Sequence, residues 1–269
     1  MSLSDNDVSY LVFIPFITAG ILFIERRKIS LSLSYRRTFG CGLLFLAIFF
    51  ALTSLFDSSP SLFGLRLSGY VFSLVLFWIS GFALIFGTAV CKFARFPLMF
   101  LLLMVPLPNF ILDHIIYFLQ VSSAWITGIL FDFLGVPVLR DGLVFHLPSV
   151  NIEVARECSG IRSSLAGLVV ALLAGHFFFR SFWSKAVFLV GGFFIMILKN
   201  GIRITSLTLL GIYVDPSFLY GRLHHQGGMV FFILGLLLLA PLLKALQYME
   251  RSARNDYAPL AQPVSRRPP

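Results

Sequence analysis

The sequence predicts an all-α polytopic membrane protein, with about seven to eight transmembrane helices and one small extracytoplasmic β-hairpin. Three observations carry this. Hydrophobic residues make up 58% of the 269-residue chain and charged residues only 12%, where a soluble domain of this size carries about 25% charged residues. The apolar residues fall in runs, at 8–24, 42–56, 69–91, 163–179, 186–198 and 229–243, each long or nearly long enough for the roughly 20 residues that cross a bilayer. Basic residues gather in short segments between these runs and in the C-terminal tail, as Lys and Arg do in cytoplasmic loops.

The elements follow in order. The run VSYLVFIPFITAGILFI comes after Asp5 and Asp7 and before a basic cluster. That is the reverse of a cleavable signal peptide, so none is expected. The loop ERRKISLSLSYRR at 25–37 holds five basic residues and is placed in the cytoplasm, which sets the N-terminus outside. The runs 42–56 and 69–91 make a helical hairpin through an outer loop at 57–67, and Lys92 and Arg95 return the chain to the cytoplasm. The stretch 98–134 must then cross an odd number of times. Pro106 and Pro108 break its helix, which reads as one crossing followed by a shallow interfacial helix at 115–133. Next, GVPVLRDGLVFHLPSVNIEVARE alternates apolar and polar residues, with turn signals at Arg140-Asp141-Gly142 and Leu147-Pro148-Ser149. It reads as a β-hairpin or ribbon outside. Two further helices are joined by a cytoplasmic loop at Arg180 and Lys185, and the last helix returns to a tail carrying Lys244, Arg251, Arg254, Arg266 and Arg267. The domain reading is an integral membrane domain over 1–249 and a disordered basic cytoplasmic tail over 250–269, its end APLAQPVSRRPP being Pro-rich and polar.

Composition also excludes functions. The net charge of +9 is accounted for by the loops, and no soluble segment interleaves basic with aromatic residues, so nucleic acid is not a partner; the lipid bilayer is. The cysteines, Cys41, Cys91 and Cys158, are widely spaced with no CxxC, so no disulfide framework is expected. Zinc wants three or four ligands at recognisable spacing, whereas His114, His146 and His176 are scattered. Neither metal nor cofactor is expected.

Three polar sites converge on the outer face. The first is Cys158 with Ser159, Gly160 and Arg162, at the mouth of an apolar helix. A helix N-terminus and a nearby guanidinium both favour the thiolate, the nucleophilic form. Glu157 works against this unless it pairs with Arg156 or Arg162. The second is Arg203 in LKNGIRITSLTLLG. If its helix starts near Lys185, Arg203 stands roughly 25 Å higher at about 1.5 Å per residue, close to the outer face, with Asn200 about one turn below. A snorkelling arginine is the alternative, but an arginine there runs against the orientation bias. The third is LHHQGGMVFF, where His224 and His225 precede the last helix. A neutral imidazole beside a thiol can take its proton and return it to a leaving amine; a solvated interfacial pair is the alternative.

With these motifs in this order, the chain resembles the exosortase/archaeosortase family of prokaryotic membrane cysteine enzymes over nearly all of 8–243. MVPLPNF at 104–110 is similar to the family's Pro-x-Pro break, and Gln120, GVPV at 135–138 and Gly142 resemble the stretch before its cysteine. VARECSGIRS at 154–163 is close to the family signature, which implies Cys158 as nucleophile. NGIRI at 200–204 resembles the arginine motif, which implies Arg203 as the catalytic arginine. The family's histidine lies four residues before a glycine that opens the last helix; His224 has that spacing to Gly228, and His225 is second choice. Arg162, Asn200 and Glu157 are supporting candidates. Two departures stand out: family members carry about eight helices, one of them ahead of the segment that resembles 5–28 here, and Met229 stands where members often show an aromatic residue.

The resemblance implies a cysteine peptidase and transpeptidase of the inner membrane, its active site on the extracytoplasmic side. Its substrates would be exported proteins ending in a recognition motif, an apolar helix and a basic tail (the PEP-CTERM type), passed to a cell-surface acceptor linked to exopolysaccharide. The rival classes are a transporter or a scaffold for lipid-linked saccharide export. No internal repeat pairs broken helices in two halves, as transporters of that kind show. Cys158, Arg203 and His224 in one pocket would favour the enzyme.

Overall fold

The computed structural model describes residues 12–29, 38–56, 63–220 and 228–257. Its helices are α1 (Phe13–Ile29), α2 (Thr38–Phe56), α3 (Phe63–Phe93), α4 (Arg95–Phe100), α5 (Asn109–Phe133), α6 (Ile161–Phe178), α7 (Phe182–Tyr213), α8 (Ser217–Tyr220) and α9 (Gly228–Tyr257). Six of the described helices are long and apolar enough to cross a membrane. This is fewer than the seven to eight expected, and the reason is length: α1 has 17 residues, and the apolar stretch Arg95–Met104 is shorter. Large apolar side chains such as Phe16, Phe45, Trp78, Phe118 and Leu237 are exposed, as suits helices whose outer faces meet lipid.

The chain divides into two compact units, residues 1–114 and 115–269. In the first, α2 and α3 form the expected antiparallel hairpin. Ser80 Oγ donates to Gly40 O at 2.9 Å, and Phe50 meets Phe72 edge-on at 5.0 Å. At 31 residues α3 exceeds one straight crossing, and it is broken at Gly87 (φ 80°, ψ 167°), a conformation that glycine alone adopts readily. After α4, a 3₁₀ turn at Leu101–Met104 leads to Val105, extended at ψ 117°, as the residue before a proline must be. Ser68 Oγ lies 2.7 Å from Pro106 O and 2.8 Å from Gly64 O, tying the break to α3.

The Pro-x-Pro break is therefore real, but its consequence differs from the sequence reading. The shallow helix expected at 115–133 is part of one 25-residue helix, Asn109–Phe133. The prolines stand ahead of this helix, where a missing N–H costs nothing. Pro108 O accepts from Ile111 N and Leu112 N, both at 3.0 Å, so the helix starts on the proline instead of being broken by it.

In the second unit, β1 (Leu139–Asp141), β2 (Val144–His146) and β3 (Asn151–Glu153) make an antiparallel sheet in the order β1-β2-β3. Arg140 lies opposite Phe145, and Phe145 opposite Ile152. Both turn signals are in place: Gly142 has φ 59°, and Leu147 N donates to Val150 O at 3.0 Å. The expected hairpin thus gains a third strand. Phe145 is fully buried and packs edge-on against Phe131 of α5 at 5.6 Å. With Ala124, Leu147, Val154 and Ile204 these rings form a core that docks the sheet on α5 and α7.

Small residues let α6, α7 and α9 approach, as in membrane bundles. A Cβ on Gly167 of α6 would stand 2.8 Å from Met196 of α7, and one on Gly235 of α9 would stand 3.0 Å from it. At the far end of these helices, Ala171, Phe179, Phe188 and Leu239 form a second core. Glu250 Oε1 there accepts the backbone N–H groups of Arg180 and Ser181 at 3.0 and 2.8 Å. The helix α9 continues to Tyr257, so 250–257, assigned to the tail from sequence, are helical. No Gly or Pro interrupts them before Pro259. Residues 258–269 lie outside the described residues.

Candidate active site

The strand β3 runs into buried Val154 and then a single 3₁₀ turn, Arg156–Cys158. Gln120 of α5 fixes the entry, its Nε2 donating to Val154 O at 2.7 Å. Cys158 N closes the turn on Ala155 O at 2.9 Å. The chain then reverses through Gly160, whose φ of 74° makes it the left-handed N-cap of α6. Cys158 is half-buried between the sheet and the first turn of α6, as its sequence setting predicts.

One side chain locks this turn. Asn200 of α7, 1% exposed, donates through Nδ2 to Cys158 O at 2.8 Å and to Ser123 Oγ of α5 at 2.9 Å. It can come so close because residue 160 is glycine: a Cβ there would stand 2.7 Å from both Asn200 Cγ and Oδ1. The left-handed backbone and the missing side chain are thus required at one position for two separate reasons. Close approach repeats one residue on, where a Cβ on Gly201 would run into Ile126 of α5.

Arg203 stands one turn beyond Asn200 on α7 and is half-buried. Three influences act on the Cys158 thiol, here in descending size: burial, which disfavours the thiolate; Arg203, which favours it; and Glu157, which disfavours it. The cation whose charge acts on the thiol is thus Arg203, brought in by α7, whereas the sequence pointed to the neighbouring Arg162. Arg162 and Glu157 are both exposed. Arg162 lies in the first turn of α6, whereas three residues of α7, Lys199, Asn200 and Arg203, act on the segment 158–163 from a second helix.

Sequence reasoning passed over the third of these, Lys199. It is 1% exposed, and its Nζ donates to Ser163 Oγ in the first turn of α6. A charge within an apolar run is itself the signal that could have found it.

His224 and His225 lie outside the described residues. The helix they precede does not. Gly191 faces Leu242, and Met196 and Lys199 face Gly235, so α7 and α9 run antiparallel. Extending that pairing brings Gly228, the first residue of α9, level with Arg203 to Ser206. The structure thus brings together Cys158, Asn200 and Arg203, and starts α9 at their end of α7. His114 is hydrogen-bonded to Phe110 O and His146 to Asn151 Oδ1. Among the described residues no three His, Cys, Asp or Glu are grouped to hold a metal.

No curated protein and no solved structure matches this chain. The family model of the transmembrane exosortase (Exosortase_EpsH) matches residues 2–241. That match spans both units, the Cys158 turn, all of α7 and the first half of α9. The protein belongs to the transmembrane exosortase family.

Proposed function

We propose that this exosortase is a cysteine peptidase and transpeptidase that cuts the C-terminal sorting signal of exported proteins and passes their new carboxyl end to a cell-surface acceptor. The observation that carries the reading is that α7 acts on Cys158 in two ways: Asn200 donates to its carbonyl at 2.8 Å, and the charge of Arg203, one turn on, favours its thiolate. An inert packing cysteine needs neither.

The chemistry follows from these groups. The thiolate and not the thiol is the nucleophile, so a base is needed at the moment of attack, and His224 fills that role with His225 as second choice. The Cys158 sulfur adds to the scissile carbonyl as its proton moves to the imidazole. Arg203 faces the developing oxyanion, where a lost donor costs about 2.7–4 kcal/mol. The imidazolium then protonates the leaving amine, the C–N bond breaks and a thioester remains. An acceptor nucleophile gives its proton to the imidazole and attacks the thioester, and Cys158 leaves as a thiolate that takes the proton back from the imidazolium. A PEP-CTERM-type tail fits as substrate because its own apolar helix is delivered through lipid. The acceptor is linked to exopolysaccharide, and the site faces the extracytoplasmic side of a prokaryotic inner membrane.

The test is coexpression with a reporter carrying a recognition motif, an apolar helix and a basic tail. Cleavage by the parent chain and none by Cys158→Ser at equal abundance is the expected result. Cleavage by both variants would remove cysteine catalysis.

A further inference from the structure

We propose that Lys199 is a positioning residue for the cysteine turn, acting through Ser163 and the Gly160 carbonyl. The inference rests on the reading of Cys158 as the working thiol. Lys199 lies within a helix of membrane-spanning length and is 1% exposed. Among the described residues no carboxylate acts on it; the charge that does is Arg203, one turn away. Burying an ammonium beside another cation is unfavourable, so its place calls for a compensating use.

The hydrogen bonds show that use. Lys199 Nζ donates to Ser163 Oγ, and the Ser163 hydroxyl donates in turn to Gly160 O at 3.0 Å. A hydroxyl has one proton to give and lone pairs to accept with, so the two bonds are compatible, and the charged donor strengthens the first. Gly160 O also accepts from Ser164 N at 2.9 Å. Meanwhile Asn200, the next residue of α7, donates to Cys158 O. Adjacent residues of one helix therefore act on two carbonyls, Cys158 O directly and Gly160 O through Ser163. The backbone between those carbonyls leads into Gly160, a left-handed glycine with no side chain to restrict it. Gly235 of α9 backs the lysine stem, since a Cβ there would lie 3.5 Å from Lys199 Cγ. With both carbonyls held, the backbone that carries the Cys158 thiol is fixed relative to α7.

The test is maleimide alkylation of the detergent-solubilised full chain at pH 7, in a Cys41→Ser, Cys91→Ser background so that only Cys158 reports. Lys199→Met and Ser163→Ala should each slow alkylation by about tenfold, the scale of one lost charge-assisted hydrogen bond. The double variant should be no slower than either single variant, because both changes cut the same relay. Thermal unfolding is followed alongside. Variants that unfold earlier but alkylate at the parental rate or faster, or a double variant slowed by the product of the single effects, would overturn the proposal. If Lys199→Met does not accumulate, Ser163→Ala carries the test, since it removes one oxygen from a helical position that alanine suits. Failure here and failure of the peptidase reading stay distinct: alkylation needs no substrate, and reporter cleavage by the parent chain needs no variant.

Discussion

The side-chain amide of Asn200 and the carbonyl of Cys158 are joined across 2.8 Å, a bond between α7 and the turn that ends the sheet connection. Asn200→Ala would leave Cys158 O and Ser123 Oγ without this donor in a buried place. We expect a loss of about 1–3 kcal/mol for each group left unsatisfied, and reporter cleavage at least tenfold slower. Thermal unfolding in detergent and cleavage at matched abundance measure both. A variant that unfolds and cleaves like the parent would show that the bond has no consequence.

Gly160 and Gly142 provide a controlled comparison. Both have positive φ, 74° and 59°, but a Cβ at Gly160 would collide with Asn200, whereas one at Gly142 would meet nothing within 4 Å. Gly142→Ala should cost about 1–2 kcal/mol, the ordinary penalty for a left-handed alanine. Gly160→Ala should cost that and a further ~1–3 kcal/mol from overpacking, and should cut cleavage as Asn200 is displaced. Equal losses at the two sites would contradict the packing argument.

The charges at the thiol have opposite signs, which sets opposite outcomes. A cation favours the thiolate, so Arg203→Met should slow Cys158 alkylation at pH 7. Glu157 repels the thiolate, so Glu157→Gln should speed it by a smaller factor, in keeping with the larger effect of Arg203. Arg162→Met should leave the rate near the parental value. A dominant effect of Arg162 would reassign the activating arginine.

The catalytic set is tested by substitution at constant abundance. Cys158→Ser should abolish reporter cleavage. Arg203→Lys keeps the charge but loses the planar fork of donors, and activity should fall by orders of magnitude. His224→Ala should stop cleavage and His225→Ala should reduce it little, because only His224 has the spacing to Gly228. The reverse pattern at the histidines would keep the mechanism and exchange their roles.

The distribution of Lys and Arg sets the expected sidedness. Single cysteines placed at 25–37, 92–97 or 180–185 should resist an impermeant reagent added outside intact cells, and those at 136–158 or 215–225 should react. Outside labelling at residue 30 would invert the topology.

Much of this was legible in the sequence because composition reports directly on lipid exposure. The helices, the α2–α3 hairpin, the turns at Gly142 and Leu147, and the position of Cys158 ahead of α6 all come from local patterns. The Pro-x-Pro break was legible too, but not its effect, because a proline pair marks the start of a helix as well as the end of one. The action of Arg203 on the thiol was hidden for another reason. Nearness along the chain pointed to Arg162, while the pairing of α5 and α7 with the cysteine turn depends on glycines whose meaning appears only when a neighbour fills the space. Lys199 was hidden by its company: it stands in one polar cluster with Asn200 and Arg203, and its partner, Ser163, is distant in sequence although it lies in the cysteine signature.

Lys199, Asn200 and Arg203 lie within five consecutive residues of α7, 32 residues long and anchored by Phe188 and Gly191 much further down. Their angular phase is therefore inherited from the number of residues between anchor and turn. One residue inserted there would leave the span apolar and long enough to cross, yet would rotate all three side chains by about 100°. Such a lesion would be silent in any hydropathy profile and in membrane insertion, and would break all the contacts that α7 makes with residues 158–163 at once.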